Sequence, residues 1–217
     1  MGKISEFTAQ DHEVIARDYA DLLEAARKRC TDPNELEIIQ KAFEFANEAH
    51  KGVRRRSGEP YILHPIAVAK IVVSNIGLGY KSIVAALLHD VVEDTDYTVD
   101  DIRSLFGDKV ATLVEGLTQI KTVLDNEDKA KQKSMQAETF KSILLTLNDD
   151  VRVVLIKLAD RLHNCRTIEF MPEHKRDKIL SETMFVFIPL AHRLGLYSVK
   201  SEMEDIWLRF KEPEAYN

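Results

Sequence analysis

Cysteine, glycine and proline are all scarce in this chain of 217 residues, which carries two, eight and six of them. The cysteines, Cys30 and Cys165, are far apart and match no metal or redox spacing, so reduced thiols in a cytoplasm are the simplest reading. With few glycines and prolines, and with alternating β-branched runs equally sparse, the composition favours an all-α fold. No glycine-rich phosphate loop, internal repeat or low-complexity tract is found. No secretory signal is apparent, and no apolar run is long enough to span a bilayer. The start MGKISE places Glu6 where a myristoylation signal needs Ser or Thr. An excess of positive charge is missing too: 30 basic residues stand against 36 acidic ones, for a net charge of −6. General nucleic-acid binders are normally basic, so any anionic ligand must be met by a local patch.

What is present is helical periodicity over almost the whole chain. It predicts helices at about 9–30, 34–51, 65–76, 80–93, 99–106, 108–122, 131–147, 150–170, 173–193 and 197–210. Several ends are marked. Asp32-Pro33 opens the second helix and Gly52 can close it. His64-Pro65 puts proline at a first helical position, and Thr98 with Asp101 resembles a capping box. Gly107 separates two short helices. Two stretches are not helix interior: the basic turn Arg54 to Pro60, and the charged run Asp125 to Lys133, expected to be exposed and mobile.

The segment ALLHDVVEDT, Ala86 to Thr95, reads as an apolar helix yet carries four ionisable groups. At roughly 100° per residue with His89 at 0°, Asp90 falls near 100°, Glu93 near 40° and Asp94 near 140°. Val84, Ala85, Leu87, Leu88, Val91 and Val92 occupy the remaining arc. A solvated polar face explains this pattern. So does a divalent cation, because imidazole and carboxylate together form a suitable donor set.

Residues 151–167, VRVVLIKLADRLHNCRT, begin with a near-continuous apolar run, so this helix should be central. Its polar stripe holds Asp160, Asn164, Thr167 and Lys157. Asp160 has a structural reading, an ion pair with Lys157 or Arg161. His64 follows the basic turn at a helix start, and His50 ends the preceding helix, where a cation suits the helix dipole.

Taken in order, His64, then His89-Asp90, then Asp160 form an H…HD…D pattern that resembles the HD-domain metal-dependent phosphohydrolases. The segments GVRRRSGEPYILHP, LLHDVVEDT and KLADRLHNCRT more closely resemble the hydrolase domain of the Rel/SpoT family. PLAHRLGLYSVKSEMEDIWLRFKEPEAY is similar to the junction that leads, in long members, into a synthetase domain. The resemblance implies a bundle of about ten helices around one metal site, with residues 1–195 as the hydrolase domain and 196–217 as a junction helix. It implies hydrolysis of (p)ppGpp to GDP or GTP and pyrophosphate, with downstream synthetase and regulatory domains in the full-length protein. His64, His89, Asp90 and Asp160 would bind Mn²⁺; Glu93 and Asp94 would activate or orient water; Arg55, Arg56, Ser57, Tyr61, Asn164 and Thr167 would hold the nucleotide. One departure stands at Thr118 to Lys121: many relatives carry lysine directly after that threonine, whereas Gln119 stands here and Lys121 follows. The rival readings are an HD phosphohydrolase acting on dNTPs or cyclic nucleotides, and a non-catalytic nucleotide-sensing module.

Overall fold

A computed structural model describes residues 4–127, 143 and 150–216. Its first helices follow the sequence signals closely. Helix α1 (Ala9–Arg29) starts on a capping box between Thr8 and Asp11. Helix α2 (Pro33–Ala49) is capped by the Asp32 side chain, which accepts from the Asn34 amide. Helix α3 (Leu63–Ile71) begins two residues earlier than the proline signal indicates, so His64 lies in its first turn, and it runs on into a π-helical turn, Val72–Ile76. Helix α4 (Tyr80–Asp94), helix α5 (Val99–Phe106) and helix α6 (Asp108–Glu127) follow. The expected Thr98–Asp101 capping box is formed. Gly107, at φ 94°, turns the chain between α5 and α6 where a side chain would be strained.

The predicted helix at about 131–147 lies outside the described residues, apart from Ile143. So does the part of the charged run beyond residue 127. Helix α7 (Val151–Arg166) carries Asp160, and a short 3₁₀ turn, Ile168–Phe170, completes the span read as one helix. The predicted helix at 173–193 divides into α8 (Glu173–Glu182), a π-helical turn (Thr183–Phe187) and α9 (Ile188–Arg193). Helix α10 (Tyr197–Lys211) and the single turn α11 (Pro213–Tyr216) end the chain. Only isolated β-bridges, Ile4 with Val53 and Arg54 with Pro60, break the all-α pattern among the described residues.

Helix α4 is the hub. It packs on α2, α3 and α6, and every residue from Ser82 to Val91 is buried. The first half of its polar arc is therefore not solvated, with His89 and Asp90 4% and 5% exposed, while Glu93 and Asp94 are part-buried. Helix α7 packs on α3, α6 and α10 and brings Asp160 to the same depth. The junction segment is not detached from the bundle, since Val199, Met203 and Ile206 of α10 are buried against it. The approach of α6 to α7 depends on Gly116, where a Cβ would stand 2.9 Å from Val153 Cγ2 and 3.0 Å from Cγ1.

Val153 is β-branched and stiff, so it yields poorly. Gly116→Ala should therefore lose more from overpacking, ~1–3 kcal/mol, than the ~1 kcal/mol it gains in helix propensity. A net loss of about 1 kcal/mol lowers Tm by roughly 2–4 °C in a chain of this size. Thermal unfolding followed by circular dichroism measures it, and adding Val153→Ala should relieve the clash. An unchanged Tm in the single variant would mean that the two helices are not locked there.

Candidate active site

Three helices converge on one buried cluster. His64 comes from the first turn of α3, His89 and Asp90 from the middle of α4, and Asp160 from the middle of α7. His64 Nε2 lies 2.8 Å from Asp160 Oδ1 and 4.0 Å from Asp90 Oδ2. His89 Nε2 lies 3.1 Å from Asp90 Oδ1 and 3.7 Å from Asp160 Oδ1. The four residues singled out as ligands thus meet at one point, all buried.

Their hydrogen bonds reveal what such a cluster needs. His89 Nδ1 is 2.8 Å from the Ala86 carbonyl, which only accepts, so Nδ1 carries a proton. Nε2 then faces two carboxylates that also only accept. That contact is favourable only with a positive centre between them, a proton or a metal cation. Burial opposes charge on His89, but Asp90 and Asp160 outweigh it and hold the imidazole well above its ordinary range. Burial likewise opposes charge on the carboxylates. His89 and His64 nevertheless hold Asp90 below the usual range, and Lys157 with both imidazoles does the same for Asp160.

No open cage of three or more metal-binding side chains is formed among the described residues, because the imidazoles are drawn onto the carboxylates. The separations still suit a cation. Donors about 2.1 Å from an octahedral ion stand roughly 3 Å apart when adjacent and roughly 4.2 Å apart when opposite. The distances here, from 2.8 Å to 4.0 Å, fall close to that span. Two imidazoles and two carboxylates are also a suitable donor set for a first-row divalent ion.

A second tier braces this cluster. The Tyr61 hydroxyl donates to Asp90 Oδ2 at 2.9 Å. Burial, then Asp90 and Asp94, push its phenol well up, so it stays a donor. Lys157 Nζ holds Asp160 Oδ2 at 3.0 Å, so the ion pair considered from sequence does exist, on the oxygen the imidazoles do not use. Arg161 instead pairs with Glu182.

Glu93 and Asp94, read together as water-activating groups, diverge. Glu93 lines the cleft and is held by Lys121, with Nζ 3.0 Å from Oε2. Asp94 turns toward α2, where His50 Nε2 meets its Oδ2 at 3.1 Å. His50 caps α2, is buried, and stacks on Tyr61 with ring centroids 4.9 Å apart. The polar arc of α4 therefore serves two neighbours. Gln119 is exposed, and the lysine that reaches the cleft is Lys121.

The three arginines of the basic turn also separate. Arg54 binds Asp11 Oδ2 at 2.6 Å and the Gly58 carbonyl at 2.9 Å, fastening the turn to α1. Arg55 points the other way, donating to Asn164 Oδ1 at 3.1 Å and Thr167 Oγ1 at 3.3 Å. Arg56 and Ser57 are exposed on the rim of a small cleft of about 210 Å³, which Tyr61 and Thr167 also line. Arg55 and Tyr61 border both this cleft and the larger one of about 880 Å³ that contains the buried cluster. Sequence reading missed three residues here. Lys175 and Met171 line both clefts, and His163 contacts His64. Only for His163 is there a usable signal, its i+3 spacing from Asp160.

Comparison with known proteins places the chain in a family. The HD domain family matches residues 42–197, more than half of the chain. The guanosine-3′,5′-bis(diphosphate) 3′-pyrophosphohydrolase of Aquifex aeolicus is 47% identical over 184 residues, covering 85% of this chain and 25% of that protein. The bifunctional (p)ppGpp synthase/hydrolase SpoT of Escherichia coli is 43% identical over 183 residues, covering 84% and 25%. The chain spans about a quarter of the length of the curated relatives it matches. A solved structure, described as a metazoan ortholog of SpoT that hydrolyses ppGpp, aligns with TM-score 0.58 at 23% identity, over 80% of this chain and 96% of its own, and so shares the fold.

The Glu93–Lys121 pair generates a pH prediction. Burial and Asp90 raise the Glu93 carboxyl above its ordinary value, while His89 and Lys121 pull it back. Removing the cation leaves the charged form less favoured, so Lys121→Met should shift the Glu93 titration to higher pH. Carboxyl ¹³C NMR of the variant beside the parent measures the midpoint. A midpoint that does not rise would show that the ion pair is not formed in solution.

Proposed function

The chain belongs to the HD-domain family and, within it, to the Rel/SpoT group, and from that membership we propose that it removes the 3′-pyrophosphate of (p)ppGpp. The products are GDP or GTP and pyrophosphate, and the biological setting is stringent-response control in a bacterial cytoplasm. The single observation that carries this reading is the meeting of His64, His89, Asp90 and Asp160 at the floor of the cleft that Arg55 and Glu93 also line. We assign residues 1–195 to the hydrolase domain and 196–217 to the segment that precedes a synthetase domain in the long relatives.

In this reading the four clustered side chains hold one divalent cation, Mn²⁺. Such an ion offsets phosphate charge and acidifies water. The remaining work falls to the chain. Arg55 and Arg56 stack on or pair with the nucleotide, as guanidinium groups do, with Ser57, Tyr61, Asn164 and Thr167 completing the pocket. Arg55 has its Asn164 and Thr167 partners within reach, so it approaches the nucleotide from a fixed base. Glu93, one turn beyond Asp90 on α4, accepts the proton of the attacking water. Lys121 keeps Glu93 in place and adds a positive charge to the lining of the cleft. Asp94 acts at one remove: it anchors His50, which stacks on Tyr61, which in turn fixes Asp90. Water attacks the phosphorus attached to the 3′ oxygen. That phosphorus–oxygen bond breaks, the 3′ oxygen takes a proton, and the water oxygen leaves with the pyrophosphate.

Incubation with ppGpp, with and without Mn²⁺, tests the reading. GDP and pyrophosphate should appear in equal amounts and only with the ion, and GTP, which has no 3′ phosphate ester, should be a poor substrate. Orthophosphate as first product, or brisk hydrolysis of dGTP, would move the chain to the dNTP-hydrolysing branch of HD proteins. Glu93→Gln should keep nucleotide and ion binding and lower kcat by ~10²- to 10⁴-fold, the usual worth of a general base. A normal kcat would make Glu93 structural. His64→Ala and Asp160→Ala should each abolish ion binding and turnover together, and Arg56→Ala should chiefly raise KM.

A further inference from the structure

One part-buried contact at the cluster has no part in the scheme above. His64 Nδ1 and His163 Nδ1 are 2.6 Å apart, with ring centroids at 4.9 Å and planes inclined by 36°. A hydrogen bond between two imidazole nitrogens needs one proton between them, donated by one ring and accepted by the other. The other nitrogen of His64 faces Asp160 Oδ1 at 2.8 Å and Asp90 Oδ2 at 4.0 Å. His64 thus has two possible neutral forms. With the proton on Nε2, it donates to Asp160, and His163 must donate to Nδ1. With the proton on Nδ1, it donates to His163, and Nε2 presents a lone pair to the carboxylates. Only the second form can ligate a cation.

We propose that His163 is the positioning residue that selects this second form, accepting the Nδ1 proton of His64 and aiming its Nε2 lone pair into the cluster. The inference rests on the metal-site reading given under the proposed function. Several observations converge on it. The 2.6 Å separation puts His163 Nδ1 within hydrogen-bond reach of His64 Nδ1, and a neutral His163 protonated at Nε2 offers the lone pair there that accepts. Its helix position fixes it: His163 is three residues after Asp160 on α7, so one helix supplies both a carboxylate and the brace for the imidazole opposite. The site's other imidazole is braced equivalently, with His89 Nδ1 on the Ala86 carbonyl. A carbonyl accepts only, so His89 has no choice of form. His64 lies in the first turn of α3, and its Nδ1 bonds to a side chain instead. The two imidazoles of the cluster are therefore held by different means, one by backbone and one by His163.

The test is the affinity of the full chain for Mn²⁺ by isothermal titration calorimetry, after removal of metal with a chelator. His163→Leu keeps bulk but cannot accept a proton. His163→Gln keeps an acceptor oxygen. Loss of an outer brace commonly costs 10- to 100-fold in metal affinity, and His163→Leu should show a loss of about that size. His163→Gln should remain within a few-fold of the parent, and both variants should unfold at similar temperatures. Affinity in His163→Leu equal to the parent's would overturn the proposal. Equal weakening of both variants would do the same, because packing rather than proton acceptance would then be the cause. Absence of Mn²⁺ binding by the parent chain would overturn the metal-site reading and this inference with it, whereas parent binding that survives His163→Leu overturns this inference alone. Histidine ¹⁵N shifts give an independent readout. With Mg²⁺ as a diamagnetic stand-in, the parent should show His64 protonated at Nδ1, and a proton found at Nε2 would also sink the idea.

Discussion

Two carboxylates buried within reach of the same imidazoles are the constraint around which this fold is organised. Asp90 and Asp160 are each 5% exposed, and neither could be carried inside without compensation, since an unpaired buried charge costs several kcal/mol. Four neighbouring side chains meet that demand. The imidazoles of His64 and His89 face the two acids, Lys157 takes the outer oxygen of Asp160, and Tyr61 donates to Asp90 Oδ2. The apolar shell of α3, α4 and α7 can then close around charge rather than being opened by it. A chemically demanding centre and a well-packed core are satisfied by the same set of contacts.

Helix α7 supplies most of the register. Lys157, Asp160, His163, Asn164 and Thr167 recur at intervals of three or four, so they share one face. That face runs from the buried cluster at one end to the Arg55 contacts at the other. Small errors in the rotation of this helix would disturb the buried cluster and the Arg55 rim together. Its other faces are correspondingly well filled, against α3, α6 and α10, with Gly116 allowing α6 to come close.

Much of this was legible in the sequence, for identifiable reasons. The helices announce themselves because caps and apolar periodicity are local properties, as with Thr98–Asp101 and the run before Asp160. The ionisable groups inside apolar helices only called for an explanation; that His64, His89, Asp90 and Asp160 belong together was accessible through the ordered H…HD…D pattern and its resemblance to the HD phosphohydrolases. The π-helical turns at Val72–Ile76 and Thr183–Phe187 were not, since one inserted residue hardly changes a hydrophobic pattern. Nor could the pattern distinguish Arg54 from Arg55. Adjacent identical side chains differ only once the backbone bridge from Arg54 to Pro60 sends one toward α1 and the other toward α7. The parting of Glu93 from Asp94 has the same origin: neighbours on a helix lie about 100° apart and find different company. His163 was hidden by its surroundings, within a motif whose other residues already had roles.

The two free thiols can report on motions of the fold. Cys30 at the end of α1 and Cys165 in α7 are both buried, and burial pushes each thiol up from its ordinary value. A thiolate is the reactive species, so both are shielded twice, by access and by protonation. An alkylating reagent reaches Cys30 only when the α1–α2 corner opens, whereas Cys165 borders a surface cleft between α7 and α10 and is uncovered by a smaller movement of those two helices. The chain therefore carries two chemical clocks with no label added, one within α7 and one at the end of α1. The ratio of their labelling rates distinguishes local breathing of α7 from unfolding of the whole bundle.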